Sequence, residues 1–116
     1  MRGPSSSFAA VRFIDREKVL DDLRRAAAKA KSVHPEIVRV FLFGSLVKGN
    51  WTADSDADLI VVVRREFPGI LDRSRYQIHV KSIPTDTLVY SETEFGTIAG
   101  DPTSFLARNL RDALEL

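Results

Sequence analysis

Two short apolar runs, Ile37 to Phe43 and Leu59 to Val63, bracket a polar connection that begins Gly44-Ser45 and ends Ser55-Asp56-Ala57-Asp58. Both runs are rich in β-branched and aromatic residues and are bounded by turn formers, which is the pattern of buried strands. The connection is therefore anchored at the ends of two strands. If Asp56 to Val63 is one strand, alternation sends the Asp56 and Asp58 side chains to the same side, about 7 Å apart. Two carboxylates so placed repel each other and raise one another's pKa unless a cation lies between them. Hard oxygen ligands with no Cys and no nearby His suit Mg²⁺ or Mn²⁺ rather than zinc.

Gly44-Ser45 supplies the complementary half. A Gly directly after a strand lets another group approach the backbone, and a short helix behind it offers free N–H groups and a positive dipole end to a phosphate. Ser45 adds a hydroxyl donor, and Gly49 ends that helix after roughly one turn. Phosphate at one end and metal at the other describe a nucleoside triphosphate site.

GSLVKG followed by SDADL, each adjoining an apolar strand, resembles the Gly-Ser…Asp-x-Asp signature of the DNA polymerase β-like nucleotidyltransferases, and within them the small prokaryotic minimal nucleotidyltransferases, or MNT proteins. The likeness runs from about Ile37 to Phe95. It implies an α/β (α+β) fold, a small mixed sheet with helices packed on it, as in the polymerase palm. It also implies that Gly44, Ser45, Lys48, Gly49 and Ser55 bind the nucleotide, and that Asp56, Asp58 and a third carboxylate from a neighbouring strand, Asp86 in IPTDTLVYSETEF, hold the metals and carry the chemistry. The family often has Arg where Lys48 stands. Lys keeps the charge but loses the bidentate fork, and a merely solvated lysine is an equal alternative.

With 116 residues and 44% hydrophobic residues, the chain fits one domain with its own core. Residues 1–10, with Gly, Pro and three serines, read as a disordered lead, and 11–116 as the domain. Seventeen basic against sixteen acidic residues leave a net charge of +1, which makes no case for nucleic acid as partner. The absence of cysteine excludes disulfides and thiolate metal sites. No apolar run reaches membrane-span length and no secretory signal opens the chain, so a cytoplasmic location is the default expectation.

From Asp15 to Ser32 apolar residues recur at helical spacing behind an Asp N-cap, and His34-Pro35 stops the helix, with His34 expected in a solvated turn. Arg39 is the only charge in the first strand and is expected at an edge or reaching outward. Trp51 covers the site, docks a partner, or simply packs against the sheet. Phe67 to Val80 fits a helix with Pro68 in its first turn, while Tyr76, Ile78 and Val80 also alternate as in a strand. Helix is the preferred reading, because a crossover is needed for the next strand to join the sheet. Ile83 to Tyr90 reads as the third strand, with Asp86, Leu88 and Tyr90 on one face; Asp86 is either a ligand or a solvent-exposed strand start. Ser91 and Glu94 form a capping box. A last helix is expected over Thr103 to Ala113, whose stripe of Phe105, Leu106, Leu110, Ala113 and Leu114 closes the core or faces another subunit.

The functional expectation is a metal-dependent nucleotidyltransferase, with Mg²⁺ or Mn²⁺ as cofactor, moving a nucleoside monophosphate from ATP or another triphosphate to a hydroxyl. The MNT resemblance implies a tyrosine of a cognate HEPN-type toxin as acceptor, the chain being its antitoxin and that toxin its partner. Transfer to a small molecule or another protein, and a non-catalytic antitoxin that neutralises by contact, are the alternatives. A homo-oligomer is compatible with the sequence.

Overall fold

The computed structural model describes residues 15–52, 54–67 and 70–116; the expected N-terminal lead, residues 1–10, lies outside them. Helix α1 (Arg16–Val33) starts where Asp15 accepts from the amides of Glu17 and Lys18, and buries Val19, Leu20, Leu23 and Ala27 along one stripe. Strand β1 (Ile37–Phe43) leads into the four-residue helix α2 (Ser45–Lys48), and strand β2 (Ala57–Val63) follows the polar connection. A 3₁₀ helix (Ile70–Tyr76) lies in the crossover to β3 (Thr85–Ser91), after which come α3 (Glu92–Ala99), α4 (Phe105–Leu110) and the two-residue β4 (Leu114–Glu115).

The sheet order is β3-β2-β1-β4, with β2 and β3 parallel and the other pairs antiparallel. Alternation along β2 divides the core. Ala57, Leu59, Val61 and Val63 face α1 and the crossover residues Tyr76, Ile78 and Ile83, whereas Ile60 and Val62 join Phe41, Phe43 and Leu106 on the opposite face, under α3 and α4. Each buried Leu, Ile and Val among them contributes about 1.5–3 kcal/mol. Both faces are covered, so β2 reads as a continuous apolar run after Asp58.

The crossover departs from the expected α-helix: a 3₁₀ helix over Ile70–Tyr76 gives way to irregular chain over residues 77–80. No strand forms there, although burial alternates, with Tyr76 and Ile78 buried and Gln77 and His79 exposed. Polar bonds to β3 replace helix packing as the anchor: Ile78 N donates to Thr87 Oγ1 (3.3 Å), Gln77 Nε2 to Thr87 O (3.4 Å) and Arg73 to Val89 O (2.7 Å). The buried Tyr76 hydroxyl donates to Glu36 (2.6 Å) and accepts from Arg65 (3.2 Å). His34 is not simply solvated, its ring standing edge-on to Tyr76 at 5.1 Å.

The last helix is shorter than expected. Ser104 caps it, and after Leu110 the chain turns to pair Leu114 and Glu115 with Leu42 and Phe41. That pairing makes β1 interior at Phe41 and Leu42; Arg39, beyond the reach of β4, is exposed as expected, reaches Glu115 through two bonds of 2.8 and 3.1 Å and lies over the Phe41 ring. No helix among the described residues is long and apolar enough to cross a membrane.

The Ser91–Glu94 capping box is present, and Glu94 also receives both arms of Arg73 (2.7 and 2.8 Å). The Arg73 bonds are the main reason that the Glu94 carboxyl lies at about 2 instead of the usual 4.5. Since the folded value is the lower, this stabilisation is complete above about pH 4.5 and is lost as pH falls toward 2. In Glu94→Gln the urea midpoint should lie below wild type at neutral pH and converge with it at pH 2; parallel profiles would show that Glu94 carries no such linkage.

Candidate active site

The site is built where β1 ends and β2 and β3 begin. Phe43 on β1 is in register with Asp58 on β2, and Asp58 with Asp86 on β3. These three residues form one row across the sheet, on the face under α3 and α4. Asp58 is half-buried and Asp86 exposed; Asp56 precedes the strand and is also exposed. Burial, then the neighbouring Asp86 and Asp56, push the Asp58 carboxyl above its ordinary value. The three aspartates singled out from the sequence therefore share one electrostatic environment.

Gly44 closes the row from the β1 side. Its backbone (φ +87°, ψ −153°) lies in a region essentially reserved for glycine, and a Cβ there would stand 2.5 Å from Asp58 Oδ2. The glycine thus does two things, reversing the chain and admitting a carboxylate against the backbone. Its carbonyl accepts from Val47 and Lys48 (3.1 Å each), and Gly49 ends α2 with φ +88° and an amide bond to Ser45 O (3.0 Å). Leu46 is fully buried, and Arg16 holds its carbonyl at 2.9 Å, pinning α2 from the start of α1. At the first turn of a helix the amides of Ser45 and Leu46 have no partner within it and point outward.

Ser55 serves the turn before Asp56: its hydroxyl accepts from Thr52 N (2.8 Å), and its amide donates to Thr52 O (3.0 Å). Lys48 is exposed, one turn beyond Ser45. Trp51 packs, half-buried, against the core on the α1 side, away from the carboxylate face. Sequence reasoning missed Phe43 and Phe105, whose rings meet edge-on at 5.9 Å; the aromatic run before Gly44 was the available signal for the first, and only the packing of α4 on the sheet brings in the second.

Among the described residues no group of three or more His, Cys, Asp or Glu is placed to hold a metal ion. Magnesium is ordinarily held by one or two carboxylates together with substrate phosphates and waters, so in-register Asp58 and Asp86 fit that kind of ion. A cavity of about 210 Å³ between α1 and the crossover, with His34, Tyr76 and His79 in its wall, touches none of the residues above. The accumulated negative charge makes the open sheet face the candidate site instead.

The sequence matches the model of the nucleotidyltransferase domain family over residues 20–112, and the chain belongs to that family. A presumed nucleotidyltransferase from Sulfolobus solfataricus, known from its crystal structure, superposes with a TM-score of 0.61 at 21% identity, over 86% of this chain and 80% of that one. At that identity the likeness shows a shared fold, the mixed sheet with helices on both faces. No curated protein matches the sequence.

The two positive-φ glycines among the described residues give an internal comparison. At Gly49 a Cβ would meet nothing within 4 Å, whereas at Gly44 it would strike Asp58. Gly49→Ala should lower unfolding free energy by about 1–2 kcal/mol. Gly44→Ala should cost clearly more, and urea denaturation of both variants checks the order; equal losses would mean that Asp58 does not need the close approach.

Proposed function

We propose that the chain is a divalent-metal-dependent nucleotidyltransferase that moves a nucleoside monophosphate, AMP from ATP, to an acceptor hydroxyl, whose oxygen bonds to the α-phosphorus as the α–β phosphoanhydride bond breaks and pyrophosphate leaves. The observation that carries this reading is the row of Asp58 and Asp86 set against Gly44. Asp58 and Asp86, with Asp56 beside them, would hold Mg²⁺ or Mn²⁺. When bound, such an ion supplies charge neutralisation on the triphosphate and a lowered pKa for the attacking hydroxyl.

The chain's own residues do the remaining work. Gly44 leaves room for phosphate oxygens next to the backbone, and the Ser45 amide and hydroxyl donate to them. Lys48 adds positive charge one turn away. Asp86, the most open of the in-register pair, faces the side from which an acceptor hydroxyl arrives. Pre-set donors and charges of this kind lower the barrier without reorganising during reaction.

For the acceptor, the likeness of GSLVKG and SDADL to the minimal nucleotidyltransferases supports a protein hydroxyl, a tyrosine of a HEPN-type toxin, with this chain as cytoplasmic antitoxin. Incubation with ATP and Mg²⁺ and a candidate helical partner should add one AMP to a tyrosine, read by mass spectrometry. Asp58→Asn should reduce the rate by about a hundred-fold or more, and EDTA should abolish it. Undiminished transfer by Asp58→Asn would sink the mechanism, whereas label on another acceptor would change only the partner.

A further inference from the structure

We propose that the exposed ring of Phe105 is the stacking surface for the nucleobase of the donor nucleotide; this rests on the nucleotidyl-transfer reading above and specifies its base subsite. Phe105 lies edge-on to Phe43 (5.9 Å, 82°), and Phe43 is the β1 member of the row that continues through Asp58 to Asp86. The ring therefore stands against the residue that precedes Gly44, on the sheet face that carries Asp58 and Asp86. In-line transfer sets the leaving pyrophosphate opposite the incoming hydroxyl, so the nucleoside projects sideways from the α-phosphorus, and among the described residues Phe105 is the exposed flat ring on that same sheet face.

The ring is displayed by a rigid support. Leu106, its neighbour on α4, is fully buried, yet Phe105 is 51% exposed. Ser104 holds the start of α4 twice, accepting from Ala107 N (3.0 Å) and donating to Ile98 O (2.7 Å), and Asn109 donates to Phe105 O (2.8 Å). Among the described residues the other large exposed apolar side chain is Val33, at the far end of α1, which covers the opposite face of the sheet. A single exposed aliphatic residue needs no explanation, but a flat ring on a buried aromatic partner beside a charged row is shaped for another flat ring. Stacking reads the π-face of a base and not its hydrogen-bonding edge, so ATP and GTP should bind alike.

Titration calorimetry with MgATP and with magnesium tripolyphosphate separates the base from the phosphates. Phe105→Ala should weaken MgATP by about ten-fold or more and leave tripolyphosphate unchanged, while Phe105→Trp should retain ATP binding. In Phe105→Trp, ATP but not tripolyphosphate should quench indole fluorescence beyond any change seen in wild type, which carries only Trp51. Unchanged ATP affinity in Phe105→Ala, or equal losses for both ligands, overturns the proposal. Wild-type protein that binds tripolyphosphate and gains nothing from the nucleoside also overturns it while sparing the site; failure to bind either ligand overturns the site reading as well.

Discussion

Everything at the functional end of this molecule depends on one close approach, the Gly44 backbone against the Asp58 carboxylate. It is possible only because β1 and β2 are antiparallel and in register at Phe43 and Asp58, so the residue that follows Phe43 falls beside the acid. The same β2 residue faces Asp86 on its other side. Like charges placed opposite each other on a sheet oppose folding by up to about 1 kcal/mol. Leu59, Ile60 and Val61, directly behind Asp58 and fully buried, contribute about 1.5–3 kcal/mol each, so the apolar strand wins and the acids stay where they are.

The two faces of the sheet divide the labour. The α1 side is packed with aliphatic residues, the crossover and Trp51, and acts as the support. The α3/α4 side carries the aromatic residues and the carboxylate row, and its cover is shorter: two helices of eight and six residues. Such a cover reaches Phe41, Phe43, Ile60 and Val62 but stops short of Asp86, which remains exposed. An open patch at the start of parallel strands beside a chain reversal is the consequence of that mismatch in length.

Much of this was legible in the residues. The two apolar runs, Asp15 as a cap, the Ser91 and Glu94 box and the face shared by Asp86, Leu88 and Tyr90 all follow from local rules of period and capping, and all occur. What local rules missed is settled by partners distant in sequence. The crossover is only partly helical because Arg73 and Gln77 find carbonyls on β3, and no pattern inside residues 67–80 announces those acceptors. The C-terminal stripe ends early because Glu115 finds Arg39, 76 residues away. The single charge in β1 was visible; its counter-charge could be matched to it only once the chain had folded.

That pairing also determines how the carboxylate row is buttressed. Without β4, β1 would be an edge strand, its outer hydrogen-bonding groups open and its hold on Phe43 and Gly44 dependent on β2 alone. With β4 in place, Leu42 and Phe41 are paired on both sides, and Leu116 N donates to Val40 O at 2.9 Å. Glu115 then fixes Arg39 over Phe41, whose ring stacks on Phe95 of α3 at 5.8 Å. A chain of contacts thus runs from the last residues through β1 to the helix that opens with the capping box. The glycine corner is held at one end by Arg16 and Leu46 and along its strand by β4, so the Gly44–Asp58 approach is a property of the whole sheet and not of the loop that carries the motif.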